Sequence, residues 1–493
     1  MKKRPIFTLL FLLLGTIFLV ACGTPAEVQE AVEDAVNEVA PTLEAAATEI
    51  GPTVEAAIEE VAPTVEAAAT EVVEAVEEAT SEEAAPEEEA MDEGMRTDNL
   101  EGETITFYHF GDLSGPLAGI TGPLINGFND AVSAVNANGG IRGAQIELQF
   151  TDTQSSVDEA VAAYDRYTSE DDNVLVMFTY GSGDGEALAS RFVEDQVPNL
   201  AAGLSSVAFY GPESGYTFGY APIYPDQFGF FLDYITANWA DVKPEGAGDD
   251  IKLAYISWPT AYGQAAITEE STAYAESLGV EIVANEIIEV SPTADTTTAI
   301  LNAQAAGANV IYTNSLAFGP ASILNGMGAL GLRDSFLFGA NNWAMDISIY
   351  AFVSDPALVE GMISPFPYLF WTDADNPGIQ FAEEQFAANE RSAAEHGVGY
   401  LLTFAGVDLA VRAIELAIDT VGYDHLTGAA VHDALIALGP TEVLDGVMRV
   451  DYSNNSRSPH ETQLRQVQGG AFVVLQDWSP VPDLRPADNF SNN

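Results

Sequence analysis

The segment Ala134-Val-Asn-Ala-Asn-Gly-Gly-Ile-Arg-Gly143 links a predicted helix at residues 125–137 to a predicted strand at residues 145–151. Another predicted strand, at residues 104–109, precedes the helix. The glycines of the segment supply the positive φ angles that a helix C-terminus and a tight turn require. A strand, a helix and a second strand joined in this way predict a βαβ unit with parallel strands.

The same alternation continues along the chain. Short apolar stretches predict strands at 104–109, 145–151, 174–179, 197–201, 251–257, 281–286, 310–313 and 335–338. The helical stretches between them are 125–137, 157–168, 186–195, 265–277, 297–306 and 320–330. Two groups of four strands favour two doubly wound, Rossmann-like α/β lobes over one very large sheet. A long helix at 401–421, followed by short strands at 447–452, 464–467 and 471–475, predicts an antiparallel ending.

Composition excludes several classes of function. The 493 residues include 75 Asp+Glu and 16 Lys+Arg, a formal net charge of −59, and a chain this acidic is repelled by nucleic-acid phosphates. Its single Cys excludes a disulfide framework and a Cys-based zinc site. The five His residues show no metal-ligand spacing. The sequence therefore predicts no metal site, no cofactor and no nucleic-acid partner.

The N-terminus has the pattern of an export signal. Lys2, Lys3 and Arg4 precede an apolar run at residues 6–20, which is too short to span a bilayer comfortably. The run ends in Leu19-Val20-Ala21-Cys22, which resembles the lipobox of bacterial lipoproteins. That resemblance implies a signal peptide at residues 1–21 and a lipid anchor on Cys22, outside the cytoplasm. The alternative is a plain signal peptide, with Cys22 incidental.

An acidic, low-complexity segment follows and predicts a stalk at residues 22–101. Residues 23–101 contain 24 Asp+Glu and a single basic residue, Arg96. Units of eleven residues start at Ala40, Gly51 and Ala62, and their apolar side chains recur at helical spacing. A proline interrupts each unit. Short helices that bind a partner are one interpretation, but the dense negative charge favours a self-repelling, partly helical stalk without one.

Five further segments have a recognisable order. They are Phe110-Gly-Asp-Leu-Ser-Gly-Pro-Leu-Ala118, Phe150-Thr-Asp152, Tyr262-Gly263, residues 326–332 and Val359-Glu-Gly-Met362. With the Asn-Gly-Gly segment, they resemble the branched-chain amino-acid-binding (leucine/isoleucine/valine-type) lipoproteins of ABC transporters, which have the type I periplasmic binding fold. The resemblance covers about residues 104–478, nearly all of the predicted folded region.

The resemblance implies how the chain is divided. Three crossovers, near residues 221–222, 364–365 and 444–446, would join the two lobes in a hinge. Lobe one would comprise residues 103–221 and 366–444, lobe two residues 222–365 and 445–480, and residues 481–493 would form a tail. A monomeric protein of this kind captures its ligand between the lobes and delivers it to an ABC permease in the membrane.

Two turns in lobe one are candidate ligand contacts. Tyr180-Gly-Ser-Gly-Asp-Gly185 and Gly203-Leu-Ser-Ser206 each follow a predicted strand. Exposed backbone amides, serine hydroxyls and a helix N-terminus suit a carboxylate. The structural alternative is N-capping by Ser182 or Asp184, with the glycines forming turns. The resemblance favours ligand binding, because the same two turns hold the ligand's α-carboxylate in that family, and it assigns contacts to Tyr180, Ser182, Gly183, Gly203 and Ser205.

In lobe two, Tyr262 and the segment Gly339-Ala-Asn-Asn-Trp343 are the expected contacts. Members of the resembled family carry an acidic residue near this segment, where it pairs with the ligand's ammonium. This chain has Asn341 and Asn342 instead, so an α-amino acid requires another carboxylate. Otherwise an amide, a urea-like molecule or an amine-free carboxylate is expected. The candidates for that carboxylate are Asp184, Asp226 and Asp346. The candidates for an aromatic wall of the pocket are Phe318, Trp343 and Tyr400.

Other functions fit the motifs less well. Neither Ser182 nor Ser205 lies in G-x-S-x-G, which argues against a serine hydrolase. Glu186 occupies the last position of a would-be G-x-G-x-x-G, which argues against a dinucleotide enzyme. A ligand-sensing or cell-envelope interaction lipoprotein with the same fold remains an alternative. The sequence thus predicts a solute-binding protein, not an enzyme, for an amino acid or a related amide or carboxylate.

Overall fold

The computed structural model describes residues 96–489, so the predicted signal peptide, Cys22 and most of the predicted stalk lie outside the described residues. Residues 96–101, which the sequence assigned to the stalk, pack against the folded part. Leu100 is fully buried, and Arg96 forms ion pairs with Glu103 at 2.8 Å and Asp424 at 3.2 Å. Burial of the apolar Leu100 side chain and the ion pairs of Arg96 hold residues 96–101 against the folded part.

The first sheet has five parallel strands in the order β2-β1-β3-β4-β5. These are β1 (Thr104–Gly111), β2 (Gln145–Asp152), β3 (Met177–Thr179), β4 (Asn199–Ala201) and β5 (Thr217–Gly219). The helices that follow the first four strands are α1 (Ala118–Ala137), α2 (Val157–Glu170), α3 (Ser182–Glu194) and α4 (Ser206–Tyr210). An order in which β1 separates β2 from β3 is that of a doubly wound sheet.

The remaining elements build a second, seven-stranded sheet. The helices before and between its strands are α5 (Tyr224–Val242), α6 (Ala261–Gln264), α7 (Glu269–Ser277), α8 (Thr297–Ala305) and α9 (Phe318–Leu330). The strands up to the next group of helices are β6 (Ile251–Ser257), β7 (Val280–Ile287), β8 (Val310–Thr313), β9 (Leu337–Ala340) and β10 (Ile363–Phe366). After them come α10 (Pro377–Ala388), α11 (Val398–Val421), α12 (Gly428–Ala437), β11 (Thr441–Val443), β12 (Met448–Val450), β13 (Glu461–Gln468) and β14 (Ala471–Pro480).

The second sheet has the order β14-β13-β10-β9-β8-β6-β7, and β13 and β14 are its antiparallel members. β11 and β12 form a separate antiparallel pair. Short 3-10 turns lie at Arg333–Ser335, Ile347–Ala351, Pro356–Val359, Ala393–Glu395 and Tyr423–His425. The sequence-based prediction of two doubly wound lobes with an antiparallel ending is therefore confirmed.

Helices α10 to α12 follow β10 of the second sheet in the chain but pack on the first lobe. Arg391 makes a bidentate ion pair with the buried Asp130 of α1, with both distances 2.7 Å, and Tyr400 of α11 donates to the same carboxylate at 2.8 Å. The chain then returns to the second sheet through β13. It thus passes between the lobes three times, which is the three-crossover hinge that the sequence led us to expect.

The turn within residues 134–143, between α1 and β2, has the predicted conformation. Gly139, Gly140 and Gly143 have φ angles of +103°, +68° and +107°, so this part of the prediction is confirmed. A side chain at position 140 would also collide with the carbonyl oxygen of Ala144, so the close approach of these two residues requires a glycine there. The turn ends α1 and directs the chain into β2.

Two elements differ from the sequence-based expectation. The predicted helix at 265–277 begins only at Glu269, because Thr268 caps α7 in a reciprocal box with Ser271. Residues 481–489, expected to be a free tail, pack on α5, where Leu484 is buried. Among residues 96–489, every helix is too short or too polar to cross a bilayer.

Candidate functional site

A cavity of about 420 Å³ opens where the carboxyl ends of the two sheets face each other. The first lobe contributes the loop after β1, the start of α2, the turn after β3 and Ala202 after β4. The second lobe contributes residues 258–262 after β6, Val290 after β7, Leu316 after β8 and Trp343 after β9. This is the usual ligand position in open α/β sheets, and the volume suits a small organic molecule.

The turn between β3 and α3 provides hydrogen-bond donors to the cavity. Its side chain Ser182 is 2% exposed, and its Oγ has no hydrogen-bond partner among the described residues. The first hydrogen bond inside α3 is donated by Gly185 to Gly181, so the amides of residues 182–184 have no acceptor within the helix. Tyr180, Ser182 and Gly183, three of the predicted contacts, all line the cavity.

The second predicted turn lies behind the first rather than in the cavity wall. A Cβ on Gly203 would lie 2.5 Å from the backbone nitrogen of Ser182, so this glycine allows the two turns to approach each other. Ser205 caps α4 and donates to Glu186 at 2.5 Å. Neither Gly203 nor Ser205 lines the cavity, and Ser205 instead serves as the N-cap of α4.

Asp184, in the first turn of α3, is the second polar side chain of this turn that lines the cavity. It is 8% exposed, and this burial raises the pKa of its carboxyl to about 7, although the backbone amide of Gly181 lowers it in part. Among the described residues that line the cavity there is no Lys or Arg. Asp184 is therefore a buried carboxyl group without a cationic neighbour in the cavity wall.

Five aromatic side chains line the cavity: Tyr180, Tyr224, Trp258, Tyr262 and Trp343. Trp258 is 1% exposed, and its Nε1 donor has no partner among the described residues. Trp343 donates from Nε1 to the carbonyl of Ala202 at 3.2 Å, a contact between the two lobes. The wall is thus largely apolar, with a few unused donors, as is typical of sites for amphipathic ligands.

Asn341 and Asn342 are fully buried and do not line the cavity. Asn341 donates from Nδ2 to the Tyr262 hydroxyl at 2.7 Å, so it positions a lining side chain. The backbone amide of Asn342 donates to Oε1 of Gln227 at 3.0 Å, near the first crossover. The two residues thus support the wall from behind in this structure, and their contact with a ligand stays a prediction.

The structure also separates the three candidate carboxylates. Asp226 is fully buried against the C-terminal segment and accepts from the amide of Leu484 at 2.8 Å; burial raises its pKa well above its usual range. Asp346 accepts from the amide of Val398 at 2.6 Å, at the start of α11. Neither lines the cavity, so Asp184 is the one of the three that lies in its wall, and a ligand contact from Asp226 stays a prediction.

Sequence reasoning missed several residues of the site. Trp258 directly follows a predicted strand, so its position at a strand's carboxyl end was available as a signal. Tyr224 begins α5, a helix that the sequence analysis did not predict. His109 lies buried below the wall, within 3.1 Å of the Tyr180 hydroxyl, and burial lowers its pKa to about 3. Residues 96–489 contain no cluster of His, Cys, Asp and Glu suited to a metal ion.

Comparison with known proteins agrees with this architecture. The "Leu/Ile/Val-binding protein homolog 2" of Brucella abortus is 25% identical over 254 residues, which are 52% of this chain and 64% of that relative's length. The crystal structure of a branched-chain amino acid ABC transporter from Thermus thermophilus with bound valine has a TM-score of 0.69 at 19% identity, covering 78% of this chain and 98% of that one. A fatty acid ABC transporter substrate-binding protein from Thermomonospora curvata has a TM-score of 0.66 at 19% identity, covering 81% and 99%.

The two solved structures establish the fold. The family model described as "Periplasmic binding protein" matches residues 104–471, which include both sheets up to the first residue of β14. The chain therefore belongs to the periplasmic binding protein family.

Proposed function

We propose that this protein is the extracytoplasmic solute-binding protein of an ABC importer and that it captures a small ligand by closure of its two lobes. The observation that carries the proposal is the cavity itself, whose walls come from both sheets. Two of its buried donors, Ser182 Oγ and Trp258 Nε1, have no partner among the described residues. Buried donors are normally paired, so these two await acceptors from a ligand.

Closure follows from the same geometry. A ligand shifts the protein towards a closed form only when it binds that form more tightly, and a ligand that touches both walls does so. We take lobe one as residues 103–221 with 366–444 and lobe two as residues 222–365 with 445–480. The Trp343–Ala202 hydrogen bond then joins the lobes directly beside the ligand.

The proposal extends to the N-terminal part of the chain. Cleavage after Ala21 and lipidation of Cys22 would hold the protein on the outer face of the membrane as a monomer. The acidic segment after Cys22 would act as a spacer, and an ABC permease would be the partner that receives the ligand. Mass spectrometry of the membrane-associated protein tests the lipid on Cys22.

The ligand-binding role is tested with the full chain. A thermal-shift screen of amino acids, amides, ureas and small carboxylates should yield a compound that raises the melting temperature, because a ligand that binds only the folded state stabilises it. By calorimetry, Ser182→Ala should weaken binding of that compound by about 10- to 100-fold, the usual worth of a hydrogen bond to a charged group.

Ser205→Ala is the matched control. It removes a serine hydroxyl from the neighbouring turn that does not line the cavity, so the affinity should stay within about twofold of the wild-type value. Equal losses in both variants, or no compound that stabilises the protein, would argue against a binding site at this position.

A further inference from the structure

The C-terminal segment, residues 481–489, crosses the first turns of α5, and we call it the strap. The amide of Leu484 donates to Asp226 of α5 at 2.8 Å. Gly229 lies about one helical turn after Asp226, and a Cβ there would come within 2.6 Å of Pro482 and 2.8 Å of Leu484. The strap therefore packs so closely on α5 that only a glycine fits beneath it.

The strap also contacts the first lobe. The guanidinium carbon of Arg485 lies 5.2 Å from the centre of the Tyr210 ring, at the C-terminal end of α4. This distance is in the range of a cation–π contact. Helix α4 packs on β5 of the first sheet, whereas α5 packs on β9 and β10 of the second. One short segment thus contacts both lobes.

The start of the strap has a second link to the first sheet. The amide of Val481 donates to the carbonyl of His460 at 2.9 Å. His460 belongs to the connection between β12 and β13, residues 451–460, in which the carbonyl of Arg457 accepts from the amide of Gly219 in β5 at 2.8 Å. A cavity of about 310 Å³ lies between this connection and the strap. The strap is therefore linked to the first lobe at separate points, with space between them.

The strap and the ligand cavity lie on opposite faces of α5. Tyr224 and Asp226 are two residues apart in its first turn, so their side chains point about 200° apart around the helix axis. Tyr224 lines the cavity, and Asp226 lies under the strap. The first crossover, near residues 221–222, directly precedes this turn. The Trp343–Ala202 hydrogen bond thus joins the lobes on the cavity side of the hinge, and the strap joins them on the other side.

We propose that the strap restrains the hinge, so that the two lobes of the ligand-free protein keep a narrow range of angles. Rotation about a hinge lengthens the contacts on one side and shortens those on the other. The contact of Arg485 with Tyr210 therefore resists the rotation that separates the lobes on the strap side. The proposal goes beyond the solute-binding function, because it requires no particular ligand.

Distance measurements on the ligand-free full chain test the restraint. Spin labels on Asp158→Cys, at the start of α2, and Glu289→Cys, between β7 and α8, lie at exposed positions on opposite lobes. Cys22→Ser removes the single native thiol. Pulsed electron paramagnetic resonance should give a narrow distance distribution for this protein. Arg485→Ala should broaden it and move its mean, because the contact with Tyr210 is lost while the strap stays on α5.

Gly229→Ala disturbs the strap in a different way and should also broaden the distribution, because the added Cβ displaces the strap from α5. Gly328→Ala is the matched control: its Cβ in α9 would lie 2.8 Å from a side-chain carbon of Leu358, within the second lobe. Glu270→Ala is a further control. It removes the acceptor of the Ala487 amide at 3.1 Å, a contact of the strap with α7 alone. Both controls should keep the wild-type distribution.

The outcomes separate a restraint from simple packing. Broader distributions in Arg485→Ala and Gly229→Ala, with wild-type distributions in both controls, would support the proposal. A wild-type distribution in both strap variants, or equal broadening in the controls, would overturn it. The Arg485 side chain is 22% exposed, so its replacement should leave the fold intact. If Gly229→Ala does not fold, Arg485→Ala therefore decides alone.

Discussion

Asp184 lowers the stability of the empty protein at neutral and alkaline pH. Its pKa rises from 3.8 in the unfolded chain to about 7 in the folded one because burial disfavours the charged form. Between these two values the folded state binds more protons than the unfolded state, so the free energy of unfolding falls as the pH rises. A residue that weakens the empty fold is more simply explained by binding than by structure.

This gives a prediction for the ligand-free protein. Asp184→Asn should raise the free energy of unfolding by about 2–4 kcal/mol at pH 8 and change it little at pH 4, since each unit of pKa shift is worth about 1.4 kcal/mol. Urea unfolding at the two pH values measures both quantities. Asp158→Asn should show no such pH dependence, and an equal gain at pH 4 and pH 8 would contradict the assignment.

Other titratable groups near Asp184 do not explain its behaviour. The elements packed against α3 include α2, α4 and α6. Their titratable groups, with those of α3 itself, are Glu186, Arg191, Glu194, Asp158, Glu159, Tyr164, Asp165, Arg166, Tyr167, Glu170, Tyr210 and Tyr262. The pKa shift of Asp184 comes from burial, opposed by the Gly181 amide, so its titration reports the cavity.

Individual contacts were predictable from the sequence where they depend on a local turn. Ser182 and Tyr262 each lie just beyond a strand, so the end of the strand directs them to the cavity. Asn341 also lies just beyond a strand, directly after β9, yet its side chain supports Tyr262 from behind. Which of two neighbouring side chains faces a ligand depends on packing across the sheet, which one sequence does not contain.

At the scale of elements, helix α11 receives its N-terminal cap from the other lobe. Its own N-cap residue is Gly397, which has no side chain to accept a hydrogen bond. The carboxylate of Asp346, which follows β9, accepts instead from the amides of Val398 at 2.6 Å and Ser348 at 2.8 Å. A carboxylate at a helix N-terminus is favourable, so this contact stabilises the arrangement of the two lobes in this structure.

Removing this cap should affect ligand binding at a distance. Asp346→Ala is expected to lower ligand affinity by about 3- to 10-fold, since an N-cap is worth about 1 kcal/mol and this one joins the two lobes whose closure we propose. Calorimetry measures the affinity, and small-angle scattering should show a more open ligand-free protein.

Asp355→Ala is the control for Asp346→Ala. Asp355 caps the 3-10 turn Pro356–Val359 through the amide of Ala357 at 2.9 Å, entirely within the second lobe. Its loss should leave affinity and scattering unchanged. If both variants lower the affinity alike, the cap on α11 has no role in closure.

Element boundaries were predictable to different degrees for physical reasons. β6 and β8 match their predicted ranges because they are mostly apolar and have a paired strand on each side. Helix α5 was missed because its buried residues cover much of its surface, including Phe228, Phe230 and Phe231, so its sequence lacks a clear polar face.

At the scale of the whole molecule, the folded unit is longer than the sequence indicated at both ends. Leu100 is buried, and the backbone of Arg96 accepts from the amide of Tyr423 at 2.8 Å. At the other end, the segment with Leu484 covers α5. The sequence assigned one end to the acidic stalk and the other to a tail, but each carries a buried leucine together with polar contacts that hold it on the fold.

A truncation tests the N-terminal boundary. A fragment of residues 102–493 should unfold with a free energy about 2–4 kcal/mol lower than a fragment of residues 94–493, because it loses a fully buried Leu and the ion pairs of Arg96. Urea unfolding of both fragments measures the difference. Leu100→Ala in the longer fragment should reproduce most of it, and equal stability of the two fragments would place the boundary at residue 102.

Because Trp258 and Trp343 line the cavity, the intrinsic tryptophan fluorescence of the protein should report ligand binding. Two of its five indoles face the cavity, whereas Trp239, Trp371 and Trp478 do not line it. A ligand that displaces water from these two rings, or that changes the hydrogen bond of Trp343 to Ala202, will alter their fluorescence. The three other tryptophans should give an unchanged signal. Occupancy can then be followed without a label, even for a colourless compound.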